Sequence, residues 1–331
     1  MGHQRALLAL LSDGRFHSGQ ALGSTLGVSR AQIWQVIKSL AAYGVSVESV
    51  RGRGYRLPVP ISLLDSEFIT TNVSAVTKAV LNELELFFSI DSTNTYLMKR
   101  AREGAKTATI CLAEHQSDGV GRRGRTWVSP FGRNLYQSLL WRFSDGPARL
   151  GGLSLITAMA VIDALESLGI TGLAAKWPND IVSTNGKVGG ILLEVAGEQN
   201  GPCHVVIGIG LNIDMPSAAG SDIGQSWTNI THHKDAPSRN EVAIALIDHL
   251  FEALHRFEIE GAASFMRGWG RYDYTKGKEV NIHLHDQIIS GIARGVDERG
   301  FLIVAHGDRI AHYSSGEVSL RVAENRDDSA D

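Results

Sequence analysis

Three arginines fall within four positions of a glycine-rich stretch, Gln116-Ser-Asp-Gly-Val-Gly-Arg-Arg-Gly-Arg-Thr-Trp127, and they define the chemistry to look for. Arg122, Arg123 and Arg125 carry planar, permanently charged forks that bind phosphate or carboxylate through two hydrogen bonds at once. Gly119, Gly121 and Gly124 let the backbone approach a ligand closely. A charge-assisted bond of this kind contributes roughly 1.5–3 kcal/mol. A flexible loop so equipped would hold the α-phosphate and pyrophosphate of a nucleotide; a solvated basic turn has the same composition and stays open on these residues alone. Gly119, Gly121 and Gly124 also satisfy the dinucleotide spacing G-x-G-x-x-G, and Gly119 and Gly124 the glycine spacing of a P-loop. Neither reading survives its context. Trp127-Val-Ser-Pro130 opens no helix, and Arg125-Thr126 stands where a P-loop has Lys-Ser/Thr.

Other polar groups stand where regular elements end. Residues 83–90 have the pattern of a strand and residues 95–102 that of a helix, with Ser92-Thr93-Asn94 between them. Those three side chains suit a helix cap, and they equally suit two hydroxyls and an amide aimed at a small polar ligand. Residues 107–114 and 134–143 are apolar strands, and residues 150–168 a long helix. A strand from Ala174 runs into Lys176-Trp-Pro-Asn-Asp180. Beyond Thr184-Asn185-Gly186, a strong hairpin signal, comes Lys187-Val-Gly-Gly-Ile-Leu192. Residues 205–213 form a further strand whose Gly208 and Gly210 mark close approach. Residues 240–267 place Leu246, Leu250, Leu254 and Phe257 on one helical face. Residues 278–283, 287–296, 300–305 and 309–313 are short strands between Gly and Asp turns, the pattern of a small antiparallel barrel.

The first 58 residues have a pattern of their own. Residues 4–11 are a short amphipathic helix, residues 18–27 a second closed by Gly27, and residues 30–43 a third capped by Ser29, with Ile33, Val36, Ile37 and Leu40 facing inward. The turn Leu26-Gly27-Val28-Ser29 joins the last two as a helix-turn-helix. Residues 45–50 and 55–57 then flank Arg51-Gly52-Arg53-Gly54 as a hairpin with a basic tip, which completes a winged helix. Ser29, Arg30, Gln32, Gln35 and Lys38 on the third helix, with Arg51 and Arg53 at the tip, are candidate contacts to bases and phosphates. A module used only for protein contacts is the alternative. Charge favours nucleic acid: residues 1–58 hold seven Lys and Arg against two acids, a net +5, whereas the remainder holds 25 against 33, a net −8.

Bulk properties set the frame. At 331 residues the chain exceeds one ordinary core, so two or three domains are expected. A hydrophobic share of 43% with 20% charged residues is typical of a globular protein. The apolar stretch 153–170 contains Asp163 and Glu166, which makes it an amphipathic helix and not a membrane span. Cys111 and Cys203 form no CxxC pair, so neither a disulfide framework nor a zinc site is indicated. A cytoplasmic protein is the expectation.

Taken together, Gln116 through Trp127, Lys176-Trp-Pro-Asn-Asp180, Lys187-Val-Gly-Gly-Ile-Leu192 and Gly208-Ile-Gly-Leu-Asn212 resemble the bacterial biotin–protein ligases. The winged helix is similar to that of the bifunctional type, which also represses biotin-synthesis genes. The resemblance spans nearly the whole chain, and it implies an α+β multidomain fold. The parts would be a winged helix-turn-helix over residues 1–62, a central mixed α/β domain with a class II synthetase-like sheet over 63–272, an SH3-like β-barrel over 273–324 and a frayed acidic tail over 325–331. It implies formation of biotinyl-5′-AMP from biotin and ATP with Mg²⁺, then transfer to a lysine of a biotin carboxyl carrier domain. It also implies operator DNA as a partner and a homodimer of the adenylate-bound form, with the strand around residues 191–195 as candidate edge.

Carried over position by position, Ser92, Thr93, Asn94, Gln116, Val120, Gly121, Arg122, Lys187 and Gly190 would serve biotin. Arg122, Arg125, Trp127, Lys176, Asn179, Asn212, Trp227 and Arg321 would serve the adenylate. Arg122 and Lys187 would neutralise developing phosphate charge. No resident metal ligands are expected, Mg²⁺ arriving on ATP. Transfer needs a neutral amine, yet a lysine of pKa about 10.4 is protonated at neutral pH, so Asp180 is the candidate to orient or deprotonate it; a turn-forming aspartate is the plainer role. The family loop usually reads Gly-Arg-Gly-Arg-Arg-Gly, and Val120 departs from it. A lipoate–protein ligase or octanoyltransferase, on a related central fold, and a non-enzymatic biotin sensor are the rival readings.

Overall fold

Capping chemistry sets the helices of the N-terminal module. In the computed structural model, which describes residues 2–198, 201–221, 223–230, 236–284, 287–315 and 319–322, α1 (Gly2–Leu11) buries Leu7, Leu8 and Leu11. Ser18 accepts the Ala21 N–H to start α2 (Gly19–Leu26), and Gly27, at φ +67°, ends it. Ser29 and Gln32 close a capping box over α3 (Arg30–Leu40), each side chain accepting the other residue's backbone N–H, at 3.2 and 2.8 Å. A 3-10 turn, Ala41–Tyr43, takes the place of the last helical turn expected. β1 (Glu48–Val50) and β2 (Gly54–Arg56) pair antiparallel. They are shorter than the sequence pattern suggests, and Tyr55 also bridges to His17.

The central region alternates helices and strands: α4 (Ser66–Asn72), α5 (Ala75–Val80), β3 (Glu83–Phe87), α6 (Thr93–Arg102), β4 (Thr109–Ala113), β5 (Leu135–Phe143), α7 (Leu153–Ser167), β6 (Ala174–Lys176), β7 (Asp180–Ser183), β8 (Gly186–Gly197), β9 (Cys203–Leu211), α8 (Arg239–Glu260) and α9 (Ala262–Met266). The strands form one seven-stranded sheet in the order β3-β4-β5-β9-β8-β7-β6. The sheet is mixed in strand direction: β3 and β4 are parallel, and β4–β5, β6–β7 and β7–β8 antiparallel. β8 therefore has a neighbour on each side, but its register with β7 stops at Gly190, so residues 191–195 run on past that partner.

The last strands are β10 (Glu279–His283), β11 (Ile288–Val296), β12 (Leu302–His306), β13 (Arg309–Tyr313) and β14 (Ser319–Val322). Their order is β13-β12-β11-β10-β14, antiparallel throughout. Among the described residues no pairing joins β13 to β14, so the barrel expected here stands as a five-stranded sheet with a bulge between Ala293 and Gly295. The acidic tail lies outside the described residues.

The chain divides into two compact units. The first comprises Met1–Trp141, Val206–Gly224 and Asn229–Ile244. Its core runs from Leu7, Leu22, Ile33 and Leu40 of the N-terminal module to Phe88 and Phe131. Tyr43 meets Phe88 edge-on at 5.1 Å and His115 at 5.7 Å. Beside this core Glu114 is fully buried. It pairs with Arg239, itself 4% exposed, and accepts the Leu64 N–H at 2.7 Å. Arg5 of α1 lies 3.8 Å from the same carboxylate, and Arg239 also donates to the carbonyls of Ser62 and Asn134.

The second unit comprises Arg142–Val205, Gln225–Thr228 and Ala245–Asp331. Here α7 is buried on nearly every side, and α8 buries Leu246, Leu250, Leu254 and Phe257 as its spacing requires. Trp177, 1% exposed, donates its indole N–H to the Gly300 carbonyl at 3.2 Å.

Removing one member of a buried ion pair leaves the other charge without a partner, which costs about 3–5 kcal/mol. Arg239→Met is therefore expected to lower the denaturant midpoint strongly, and adding Glu114→Gln to recover part of the loss. Urea titrations of the three proteins check this; equal losses in the single and double variants would contradict it.

Candidate active site and DNA-facing module

The first unit assembles a buried polar cluster at the start of α6. Ser92 caps the helix, its Oγ accepting the Thr95 N–H at 3.4 Å, and Thr93 and Asn94 form the first turn. All three are at most 4% exposed. Gln116 Oε1 accepts from Thr93 N at 2.9 Å and from Thr93 Oγ1 at 3.1 Å, and Gln116 Nε2 donates to Ser129 Oγ at 3.1 Å. Ser138 Oγ, from the middle of β5, lies 2.7 Å from Thr93 Oγ1 and 2.6 Å from Asn94 Oδ1. Four of the sequence candidates are thus brought together, and Ser129 and Ser138 are members the sequence reading missed. The signal for Ser138 is a single serine inside the largely apolar strand Leu-Tyr-Gln-Ser-Leu-Leu-Trp-Arg-Phe. β9 leaves room for this cluster through its glycines: a Cβ on Gly208 would strike the Asn94 amide, and one on Gly210 the Trp127 indole. Asn212, past the end of β9, is buried, and its carbonyl accepts the Ile230 N–H at 3.0 Å.

The arginine–glycine stretch is a small hairpin. Gly121 N donates to Arg125 O at 2.6 Å and Trp127 N to Gly119 O at 2.7 Å, with Val120 bridging Thr126. A 3-10 turn, Arg122–Gly124, makes its tip, where Arg123 and Gly124 have φ of +58° and +70°. No α-helix follows, which removes the dinucleotide and P-loop readings. Arg122 is half-buried, Arg123 and Arg125 exposed, and Val120 is 38% exposed.

In the second unit, the hairpin of β7 and β8 sets Asp180 opposite Gly190. Lys187 Nζ lies 2.6 Å from Asp180 Oδ1, with both side chains largely buried. Asn179 accepts the Ile191 N–H on its carbonyl at 2.9 Å and donates from Nδ2 to Ile191 O at 2.8 Å, so it fastens β8 at Ile191, one residue past the last register pair with β7. Lys187 bonds through its backbone to Ser226 and Thr228, on either side of Trp227. Lys176 ends β6, and Arg321 lies on another sheet, exposed on β14 opposite Asn281.

On the N-terminal module, Arg30, Gln32, Gln35 and Lys38 are exposed on α3 and Arg51 and Arg53 at the wing tip. Ser29 and Gln32 have the further task of the capping box. Arg53 is held over the Phe16 ring at 4.1 Å.

Comparison with known proteins assigns these parts. Residues 3–56 match an HTH domain, residues 86–212 the biotin/lipoate A/B protein ligase family, and residues 275–321 the biotin protein ligase C-terminal domain. In that order they define a ligase of the biotin/lipoate class carrying a helix-turn-helix. The bifunctional ligase/repressor BirA of Escherichia coli strain K12 is 41% identical over 318 residues, which is 96% of this chain and 97% of the relative. The biotin–[acetyl-CoA-carboxylase] ligase of Mycobacterium tuberculosis is 32% identical over 71% of this chain and 88% of its own length. The Aquifex aeolicus biotin protein ligase, solved in complex with biotin and ATP, is 27% identical with a TM-score of 0.58, covering 73% of this chain and all of that one. The chain belongs to the bifunctional biotin–protein ligase and repressor family. Among the described residues no helix is long and apolar enough to cross a membrane.

His115, between the buried Glu114 and the site residue Gln116, has its pKa lowered by burial. Its Nδ1 lies 2.8 Å from Ser89 Oγ. A histidine held neutral in the fold contributes stability that is present above its unfolded pKa of about 6.5 and is lost as pH falls toward the depressed folded value. The thermal midpoint is therefore expected to fall more steeply below pH 6.5 in the native protein than in His115→Gln. Calorimetry across pH 5–8 checks this, and parallel curves would exclude His115 as the acid-sensitive group.

Proposed function

We propose that this chain condenses biotin with ATP to biotinyl-5′-AMP and passes the biotinyl group to a lysine on a carboxylase carrier domain. The biotin carboxylate attacks the α-phosphorus and pyrophosphate leaves. The acceptor amine then attacks the acyl carbon, AMP leaves, and the amine gives up a proton. The observation that carries this reading is the Lys187–Asp180 pair, 2.6 Å apart on the β7–β8 hairpin within the matched ligase segment. Two unit negative charges about 4 Å apart repel by roughly 4 kcal/mol at an effective dielectric near 20. An ammonium between the biotin carboxylate and the α-phosphate removes that repulsion where charge develops, and Lys187 is assigned that place with Arg122 beside the phosphates.

Once Lys187 turns to the anions, Asp180 is released from its counter-ion and becomes the acceptor for the incoming amine's proton. Ser92, Thr93, Asn94, Gln116, Val120, Gly121 and Gly190 are assigned to biotin, and Arg125, Trp127, Lys176, Asn179, Asn212, Trp227 and Arg321 to the adenylate. Mg²⁺ is assigned only to ATP: among the described residues no group of three or more His, Cys, Asp or Glu could hold a metal ion. The adenylate-bound chain is assigned as the dimeric repressor, with Val195, 41% exposed where β8 runs past β7, at its edge. We also read β10–β14 as the SH3-like domain of the family.

Two measurements separate these roles. Lys187→Ala is expected to slow pyrophosphate release by 10²-fold or more while Asp180→Asn slows chiefly transfer from preformed biotinyl-5′-AMP, by about 10²–10⁴. If Asp180→Asn leaves single-turnover transfer unchanged, its role is confined to holding Lys187. Val120→Arg restores the family's third loop arginine ahead of Arg122 and is expected to slow adenylate release, followed by dilution of labelled intermediate; equal rates would refute this.

A further inference from the structure

Trp34 of α3 is 43% exposed, and of the six tryptophans it alone is open to solvent to this degree. Its place on the helix makes this notable. Ile33 and Leu40 mark the buried face of α3, and Ala31, Trp34, Gln35 and Lys38, spaced by three and four residues, share the opposite exposed face. An apolar ring of this size usually faces a core, whereas here it sits among the groups that a helix-turn-helix turns outward. Lys38 Nζ lies 3.8 Å from the centre of the ring, so one indole face already carries a cation.

We propose that Trp34 is a base-reading residue, its indole packing against thymine methyl groups in the major groove of duplex DNA. This rests on the DNA-binding reading of the module and adds a specificity element to it. Indole offers one N–H donor and a broad apolar surface. The only apolar group on the floor of the major groove is the thymine C5-methyl, so thymine is the base whose edge this side chain complements. Lys38, held over the ring, stands beside that contact as the charged group for a phosphate or a guanine edge. The charge around α3 selects a polyanion over a protein surface. α3 contains no acidic residue, and the two acids of the module are each engaged: Asp13 by His17 at 3.0 Å and Glu48 by Arg56 at 2.6 Å. The capping box fixes the N-terminal turn from which this face is presented.

The test uses the full chain with biotin and ATP. Duplexes with a randomised centre are selected on the native protein and on Trp34→Ala, and each thymine of the enriched sequence is then replaced by deoxyuridine, which deletes only the methyl group. Native protein is expected to lose roughly five- to tenfold in affinity at one or two thymines. Trp34→Ala is expected to bind the parent duplex more weakly and to ignore those replacements, Trp34→Phe to be intermediate, and both to retain carrier biotinylation as proof of folding. Equal thymine-to-uracil ratios for native protein and Trp34→Ala would overturn the proposal, as would a loss of self-association in Trp34→Ala with unchanged DNA binding. Failure to enrich any sequence with native protein would instead remove the DNA-binding reading, and this proposal with it.

Discussion

A carboxylate with no exposure to solvent must be surrounded by donors, and the fold of the first unit is arranged around that demand at Glu114. Its donors come from far apart in the chain. Arg239 is the first residue of α8, Leu64 belongs to the segment leading into α4, and Arg5 comes from the first helix. Both arginines also fasten something else: Arg239 reaches the Ser62 and Asn134 carbonyls, and Arg5 the Leu64 carbonyl. The strand end that carries Glu114 is thereby fixed, and the next two residues take their positions from it. His115 meets the Tyr43 ring, and Gln116 supplies the amide around which Thr93 and Ser129 are ordered. One desolvated charge thus ties the N-terminal module, the segment after it and the polar cluster into a single set of constraints.

The second unit solves a different electrostatic problem. Lys187 and Asp180 face each other from adjacent strands of a tight hairpin, so neither charge is left alone while no anion is present. The pair is short but not sealed, with side-chain exposures of 12% and 18%. That partial exposure supports the proposed exchange of the aspartate for a ligand anion, whereas the Glu114–Arg239 pair is enclosed. Depth of burial separates the two pairs: Glu114–Arg239 is enclosed, and Lys187–Asp180 keeps the access that a change of partners, as proposed, requires.

Local signals in the sequence carried most of the fold. Ser18, Ser29 and Gly27 announced the helix ends, Asn185-Gly186 the β7–β8 turn, and Leu246, Leu250, Leu254 and Phe257 the buried face of α8. Among the elements that escaped, α4 and α5 are seven and six residues long, and β7, which the sequence reading ran together with β6, and β14 have four residues each, too short for a hydrophobic period to show. The site was legible in its residue types and not in its connections. Glu114 and Arg239 are 125 positions apart, and Ser138 comes 44 residues after Asn94, so no spacing rule joins them. Gln32 shows the converse: its exposed helical position suggested a base contact, and its side chain also completes a helix cap.

The arginine–glycine stretch changed most in kind, from a flexible loop to a hairpin. Two cross-strand hydrogen bonds and the Val120–Thr126 bridge order its backbone, and Arg123 in the left-handed region adds a cost of about 1–2 kcal/mol that those contacts must offset. A β-branched residue at 120 favours the bridge, for valine suits a strand where arginine contributes reach and charge. Preordering matters for the arginines that remain. A disordered loop would lose backbone entropy of about 1–2 kcal/mol per residue on closing over a ligand. From a folded hairpin, Arg122, Arg123 and Arg125 have mainly their own side-chain freedom to lose, roughly 2 kcal/mol each at most. In the phosphate-holding role proposed for them, less binding energy is then consumed in ordering and more is left for the contact.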